Sequence, residues 1–253
     1  MSHSRTGARL FSCYTEDSQH EDYYVVKFRN QLGSRILCEF MAALLGRHLG
    51  LPIPLIAIVE ISPRLIATIP CPETRELLAG DQGPHFGSQH KAGGYIQLPP
   101  GFSIPPALIS QALDIFAFDM LIQNPDRSDK PGRGKPNLLF DGNQFLLFDH
   151  ELAFSFIALI GTPPPPWELR GSPLVENHIF YNQLTRYAKN HEVSFERFLT
   201  QFMTVSNALL DEMVRAMPGS WHNTTNVGKI VSHLTNVRDN IQRFKRGLLE
   251  ALA

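Results

Sequence analysis

The sequence predicts an α+β fold in two lobes: a small β-rich N-terminal lobe with one helix, and a larger, mainly helical C-terminal lobe. Three observations predict it. Strand-type runs rich in aromatic and β-branched residues crowd the first third of the 253 residues. The stretch 70–104 is dense in glycine and proline. From Ala107 onward the apolar residues recur at helical spacing, interrupted by one hairpin. The expected organisation is an N-lobe over 1–90, a connector over 91–104 and a helical C-lobe over 105–253.

The elements follow in order. "ARLFSCYT" and "YYVVKF" read as two strands joined by the polar link "EDSQHED". "SRILCEFMAALLGRHLG" reads as a helix, with Ser34 as N-cap and Gly50 as its stop. "LPIP" breaks it, and "LIAIVEI" and "RLIATI" around Ser62-Pro63 read as a second hairpin. A short helix and a strand at "HFGSQ" precede the connector, and "ALISQALDIFAFDMLIQ" is a helix. "NLLF" and "FLLF", hinged on Asp141-Gly142, form a hairpin. Four prolines at 163–166 exclude a helix there. The tail suits helices at about 176–190, 194–216 and 224–251.

Bulk properties narrow the class. A formal net charge of −1 argues against wholesale binding to nucleic acid or to an anionic membrane. Cys13, Cys38 and Cys71 have neither metal-ligand spacing nor an even count, which suits a reducing compartment. The first residues are polar, unlike a signal peptide, and the apolar runs are too short to span a bilayer. A cytoplasmic protein is expected.

The hairpin carries the chemistry. Asn137 and Asp149 sit at the outer ends of its two strands. Antiparallel pairing brings those ends together, where their oxygens would converge on one hard cation. Asp126 lies in the loop just before, placed to act as a base, and Arg127 would lock that loop. Upstream, Lys27 ends a strand and Glu39 lies on the next helix, so the two can meet across a strand–helix contact. Phosphoryl transfer needs these parts: a held metal, a cation on the phosphates, and a carboxylate for the attacking hydroxyl. The backbone of "FGSQ", Phe86 and Ser88 included, is a candidate for meeting adenine.

Taken together, "YYVVKF…E…GLPIP…GPHFGS…FDMLIQNPDR…KPNLL…LFDHELAF" resembles the HipA-like kinases, a bacterial branch of the protein-kinase-like fold. It resembles more distantly the Asp-Arg…Asn…Asp layout of phosphatidylinositol 3-kinases. The resemblance runs from about residue 5 to the C-terminus. It implies a kinase using ATP and Mg²⁺. Lys27 would be the ATP-phosphate lysine, Glu39 its helix partner, Asp126 the catalytic-loop aspartate, and Asn137 and Asp149 the metal ligands. His150 follows the metal aspartate, as it often does in that family. The sequence departs from the pattern twice. "SDKPGRGKP" lengthens the path from Arg127 to Asn137, and the phosphate lid offers one glycine, Gly7, beside Ser4, Arg5 and Thr6. The resemblance implies a serine or threonine acceptor on a protein. A small-molecule or lipid kinase and a pseudokinase remain open, as does a separate regulatory or antitoxin-like chain.

Other polar residues read as ordinary. Asp141 is turn chemistry. Asp114 and Asp119 would face solvent or cap neighbours. His85, His90, His178 and His222 show no metal spacing, and Lys245 and Arg246 suit a solvated basic face.

Overall fold

The computed structural model describes residues 7–15, 18–91, 93–99 and 101–253. Strands β1 (Arg9–Thr15) and β2 (Ser18–Lys27) pair antiparallel. The expected polar link is therefore mostly strand, with Glu21 opposite Tyr14. Helix α1 (Arg29–Leu32) leads into α2 (Arg35–His48). After β3 (Ile56–Val59), the expected second hairpin does not form. "RLIATI" is instead helix α3 (Pro63–Thr68). Ser62 Oγ accepts from Leu65 N–H and Pro63 opens the first turn, a helix start that outweighs a six-residue apolar run. Helix α4 (Pro72–Ala79) and strand β4 (His85–Gln89) follow.

The four strands form one antiparallel sheet in the order β1-β2-β4-β3. Residues directly opposite share a face, so Lys27 pairs with Phe86, and Phe86 with Ile58. On that face Phe86 joins the core formed by α2. On the other, Tyr24, Val26 and Val59 pack with Ile66 of α3 and Leu78 of α4. The sheet is thus covered on both sides, and α2 is squeezed between it and the second lobe. This explains why eight consecutive residues of α2, Ile36–Ala43, are buried, Glu39 among them.

In the second lobe, strand β5 (Ile96–Gln97) of the expected connector pairs with the hairpin β6 (Leu138–Phe140) and β7 (Phe145–Leu147). Asp141 serves the turn, its Oδ1 accepting from the N–H groups of Asn143 and Gln144 at 2.8 and 2.9 Å. Helix α5 (Ile109–Leu121) runs through the centre, buried from Ile115 to Leu121. The tail divides more finely than periodicity suggests, into α6 (Pro173–Glu176), α7 (Tyr181–Ala188), α8 (Glu196–Met203), α9 (Asn207–Arg215), α10 (Thr224–Asp239) and α11 (Ile241–Leu252). Ser206 caps α9, accepting from Leu209 N–H, so a helix expected to be continuous breaks there. The last helix also breaks, at Asn240, which lies between α10 and α11 with no side-chain cap to α11; its Nδ2 donates back to the Asn236 carbonyl at 2.9 Å. One core links α2, α5, the hairpin and α11, so the two lobes share their apolar interior.

Candidate active site

The site grows from the end of β2. Lys27 points to the face covered by α2, where it is only 7% exposed. Its ammonium donates to Glu39 Oε2 at 2.8 Å and to Asp149 Oδ1 at 2.5 Å, and lies 3.6 Å from Glu151 Oε2. One cation is thus shared by a carboxylate of the first lobe and two of the second. Burial alone would lower the Lys27 pKa, but Glu39, Asp149 and Glu151 more than reverse it and hold it above its ordinary value. Glu39 is the acid that yields: burial pushes it up to about 7, against the pull of Lys27. Burial would raise Asp149 too, yet Lys27 beside it keeps its pKa below the usual range. His150 N–H also donates to Glu39 Oε2, at 2.8 Å. The His150 ring is sealed in the core against Phe118, and burial drives its pKa to about 3, so it is neutral at physiological pH.

The loop after α5 is held from below. Arg127 is buried, its Nε donating to Asp119 Oδ2 at 2.5 Å and an NH1 to the carbonyl of Asn137 at 2.7 Å. Asp119 does not face solvent, as its place on a helix suggested. It is fully buried and also receives Asn124 Nδ2 at 2.9 Å and His178 Nε2 at 3.1 Å. Burial would raise its pKa, but Arg127 and His178 bring it down to about 2. Arg127, grouped in the sequence reading with the catalytic residues, has no surface from which to meet a substrate. It acts on the geometry of the loop.

The long loop "SDKPGRGKP" returns on itself. Ser128 N–H and Lys135 N–H both donate to the carbonyl of Asp126 at 2.8 Å. Gly134 makes this closure possible, because a Cβ there would stand 2.3 Å from that carbonyl oxygen. The loop therefore delivers Asn137 back to Asp126: its Nδ2 donates to Asp126 Oδ2 at 2.7 Å. The ladder pairs Leu138 with Leu147, which sets Asn137 and Asp149 at the same end of the hairpin. Both hold left-handed backbones, φ 47° at Asn137 and 60° at Asp149. Asn and Asp adopt the left-handed region more readily than other non-glycine residues, so both positions suit the conformation they hold. Here Arg127 and Phe148 N–H grip the Asn137 carbonyl.

Hard oxygens suited to a divalent cation converge here. Ligand atoms of Glu39, Asp149 and Glu151 lie within 4.8 Å of one another. Glu39 is occupied by Lys27 and His150, whereas Glu151 Oε2 is buried without a hydrogen-bond partner among the described residues. Asp149 and Glu151, with Asn137 adjacent, form an oxygen set that fits Mg²⁺. The sequence reading did not single out Glu151. Its only signal was its place in the "DHE" run, two residues after Asp149; the left-handed backbone at Asp149 means that no strand alternation predicts the side it takes. Arg35 NH1 donates to the other Glu151 oxygen at 3.1 Å.

The remaining candidates divide. Gly7 has φ 58° and stands against the side-chain amide of Gln31, and it does not line the cavity that holds Asp126, Asp149 and Glu151. Ser4, Arg5 and Thr6 lie outside the described residues. The reading of the "FGSQ" backbone against adenine needs correction at Phe86. Strand β4 is interior, paired with β2 on one edge and β3 on the other over 86–88, which consumes its backbone donors and acceptors. The Phe86 side chain is buried in the core. The half-buried Ser88 lies opposite Val25, on the sheet face of Lys27.

A two-lobed chain whose buried lysine is shared between a helix glutamate above and a hairpin aspartate below falls in the class of kinase-like phosphotransferases. The chain belongs to the HipA-like kinase family, whose sequence model matches residues 2–248. Among solved structures it is similar to the crystal structure of a Helicobacter pylori proinflammatory kinase, CtkA. That match has a TM-score of 0.52 and 13% identity over 94% of each chain, and so concerns the fold. No curated protein matches significantly. No helix among the described residues is long and apolar enough to cross a membrane.

Proposed function

We propose that the protein is an ATP- and Mg²⁺-dependent kinase that phosphorylates a serine or threonine of a protein acceptor. The observation that carries this reading is the Lys27 ammonium, set 2.8 Å from Glu39 and 2.5 Å from Asp149 at the seam of the lobes. A nucleotide phosphate entering there meets a lysine already aimed by Glu39. Asp149, Asn137 and Glu151 would hold Mg²⁺, which when bound supplies charge neutralisation for the phosphates. Burial, reinforced by Asp149, raises the Asp126 pKa. Asn137 fixes one Asp126 oxygen and leaves the carboxylate to orient the acceptor hydroxyl. Most of the rate would come from positioning and preorganised charge.

One observation favours a second reading, a pseudokinase that binds nucleotide without turnover: Lys27 is engaged by Asp149, so nucleotide must displace that contact. Thermal shift with ATP, with and without Mg²⁺, followed by a phosphate-transfer assay, separates the two. Asp149→Asn should abolish the Mg²⁺-dependent part of ATP binding while the variant stays folded. Wild-type Mg²⁺-ATP affinity in that variant would rule out the metal assignment.

A further inference from the structure

Two cavities adjoin at the catalytic loop. The smaller, about 500 Å³, contains Asp126, Asp149 and Glu151. The larger, about 610 Å³, lies across the 128–136 loop, with Phe180 and Gln183 in its lining. Gly134 and Lys135 line both, so the loop forms the ridge between them. The larger cavity carries Lys130, Lys135 and Arg186 against a single carboxylate, Asp129, and Arg133 stands on the other side of the ridge. None of these four cations lies in ion-pair contact with a carboxylate of the described residues. The whole chain has 23 Lys and Arg against 24 Asp and Glu, so this is a local concentration of charge and not a general excess.

Resting on the kinase reading above, we propose that this groove holds an acidic segment of the protein acceptor, which crosses the ridge as its serine or threonine reaches Asp126. Lys130 and Arg186 line only the larger cavity, apart from Asp126 and Asp149. They therefore face what continues past the point of transfer and not the nucleotide phosphates. The ridge is preorganised. Its two ends are tied to the Asp126 carbonyl, and Lys130 Nζ is fixed by the carbonyl of Glu176 at 2.6 Å, a contact that leaves its charge uncancelled. Cations held in place lose less freedom on binding than mobile ones, so carboxylates docking on them gain more. The same charges repel a basic segment, which makes them a selectivity device as well as an anchor.

The test measures binding first, so that it does not depend on turnover. A labelled serine peptide flanked by glutamates and its lysine-flanked twin are titrated against the full chain by fluorescence anisotropy. The glutamate peptide should bind roughly tenfold more tightly, with the preference shrinking as salt rises. Lys130→Glu combined with Arg186→Glu should reverse the order, with ATP affinity as the control. Lys130→Gln with Arg186→Gln, milder for folding, should erase the preference without reversing it. Equal binding of the two peptides, or a preference that survives both double variants, would overturn the proposal. So would a groove saturated by a small phosphorylated metabolite that the glutamate peptide fails to displace. If phosphate moves to acceptors without acidic preference, this inference alone fails. If neither ATP binding nor transfer is found, the kinase reading fails, and the peptide titration still scores the groove.

Discussion

Replacing Asp119 with asparagine removes one charge from an ion pair in which neither side chain has exposed surface. The amide fits the same space and keeps some of the hydrogen bonds from Asn124, Arg127 and His178. What it cannot keep is the charge opposing a buried guanidinium. Breaking such a pair from one side costs about 3–5 kcal/mol, because the remaining ion is left uncompensated. The depressed acidity gives an independent scale. A carboxyl moved from 3.8 to about 2 corresponds to roughly 2.5 kcal/mol. The sign follows from the direction: this stabilisation is fully present above pH 3.8 and is lost as pH falls towards 2. At neutral pH, Asp119→Asn should therefore lower Tm by about 6–20 °C, taking about 2–4 °C per kcal/mol for a chain of this size. Differential scanning calorimetry at pH 7 measures it. Turnover should fall as well, because Arg127 also grips the carbonyl of the left-handed Asn137. Adding Arg127→Met should recover part of the lost stability, since no lone charge then remains buried. It should not recover turnover, which needs the grip. A Tm within about 2 °C of the parent, well under the shift expected from a broken buried pair, would refute the reasoning.

Three further outcomes are expected. Asp126→Asn should lower the rate of transfer about 10²–10⁴-fold with nucleotide affinity nearly unchanged, as steady-state kinetics and ATP titration would show; joint loss of both would move Asp126 into the binding machinery. Lys27→Ala should weaken ATP binding sharply, Glu39→Ala less, and the double variant little more than Lys27→Ala alone; additive losses in this cycle would mean that the 2.8 Å contact does no work. Glu39, raised from 4.5 to about 7, takes up a proton in the folded state before it does so unfolded, so stability should decline as pH rises through that interval. His150 acts oppositely, its depressed pKa making stability rise with pH between about 3 and 6.5. The comparison that isolates Glu39 is wild type against Glu39→Gln: the Tm difference should shift against wild type from pH 5 to 7. A flat difference would contradict the burial assigned to that carboxyl.

Some of this molecule is written in short segments. The β1, β2 and β4 strands, helices α2 and α5, and the Asp141-Gly142 turn each depend on residues near in sequence, through side-chain alternation, apolar spacing or turn chemistry. The meeting of Lys27 with Glu39 was also readable, because a helix that begins only eight residues after the strand end has few ways to pack against it. The join of Asn137 to Asp149 was readable because hairpin ends must meet. "RLIATI" failed for the opposite reason. Six apolar-rich residues satisfy either period, and Ser62-Pro63 serves a turn as well as a helix start.

By itself, then, the sequence carried the two-lobe order of elements and proposed Lys27, Glu39, Asp126, Asn137 and Asp149 as a set. It did so through their order along the chain and its resemblance to a family, and not through their spacing, which departs from that family between Arg127 and Asn137. Only the tertiary structure decided which other charges are buried and whom they serve. Asp119 turned inward to Arg127 and to His178, 59 residues away, and Glu151 joined Lys27 from the opposite lobe. It also decided that β4 is an interior strand, and so that Phe86 has no backbone to offer a ligand. The physical reason is that burying an ion is tolerable only with a partner in place. Such partners come from distant parts of the chain, brought together by packing that no local pattern records.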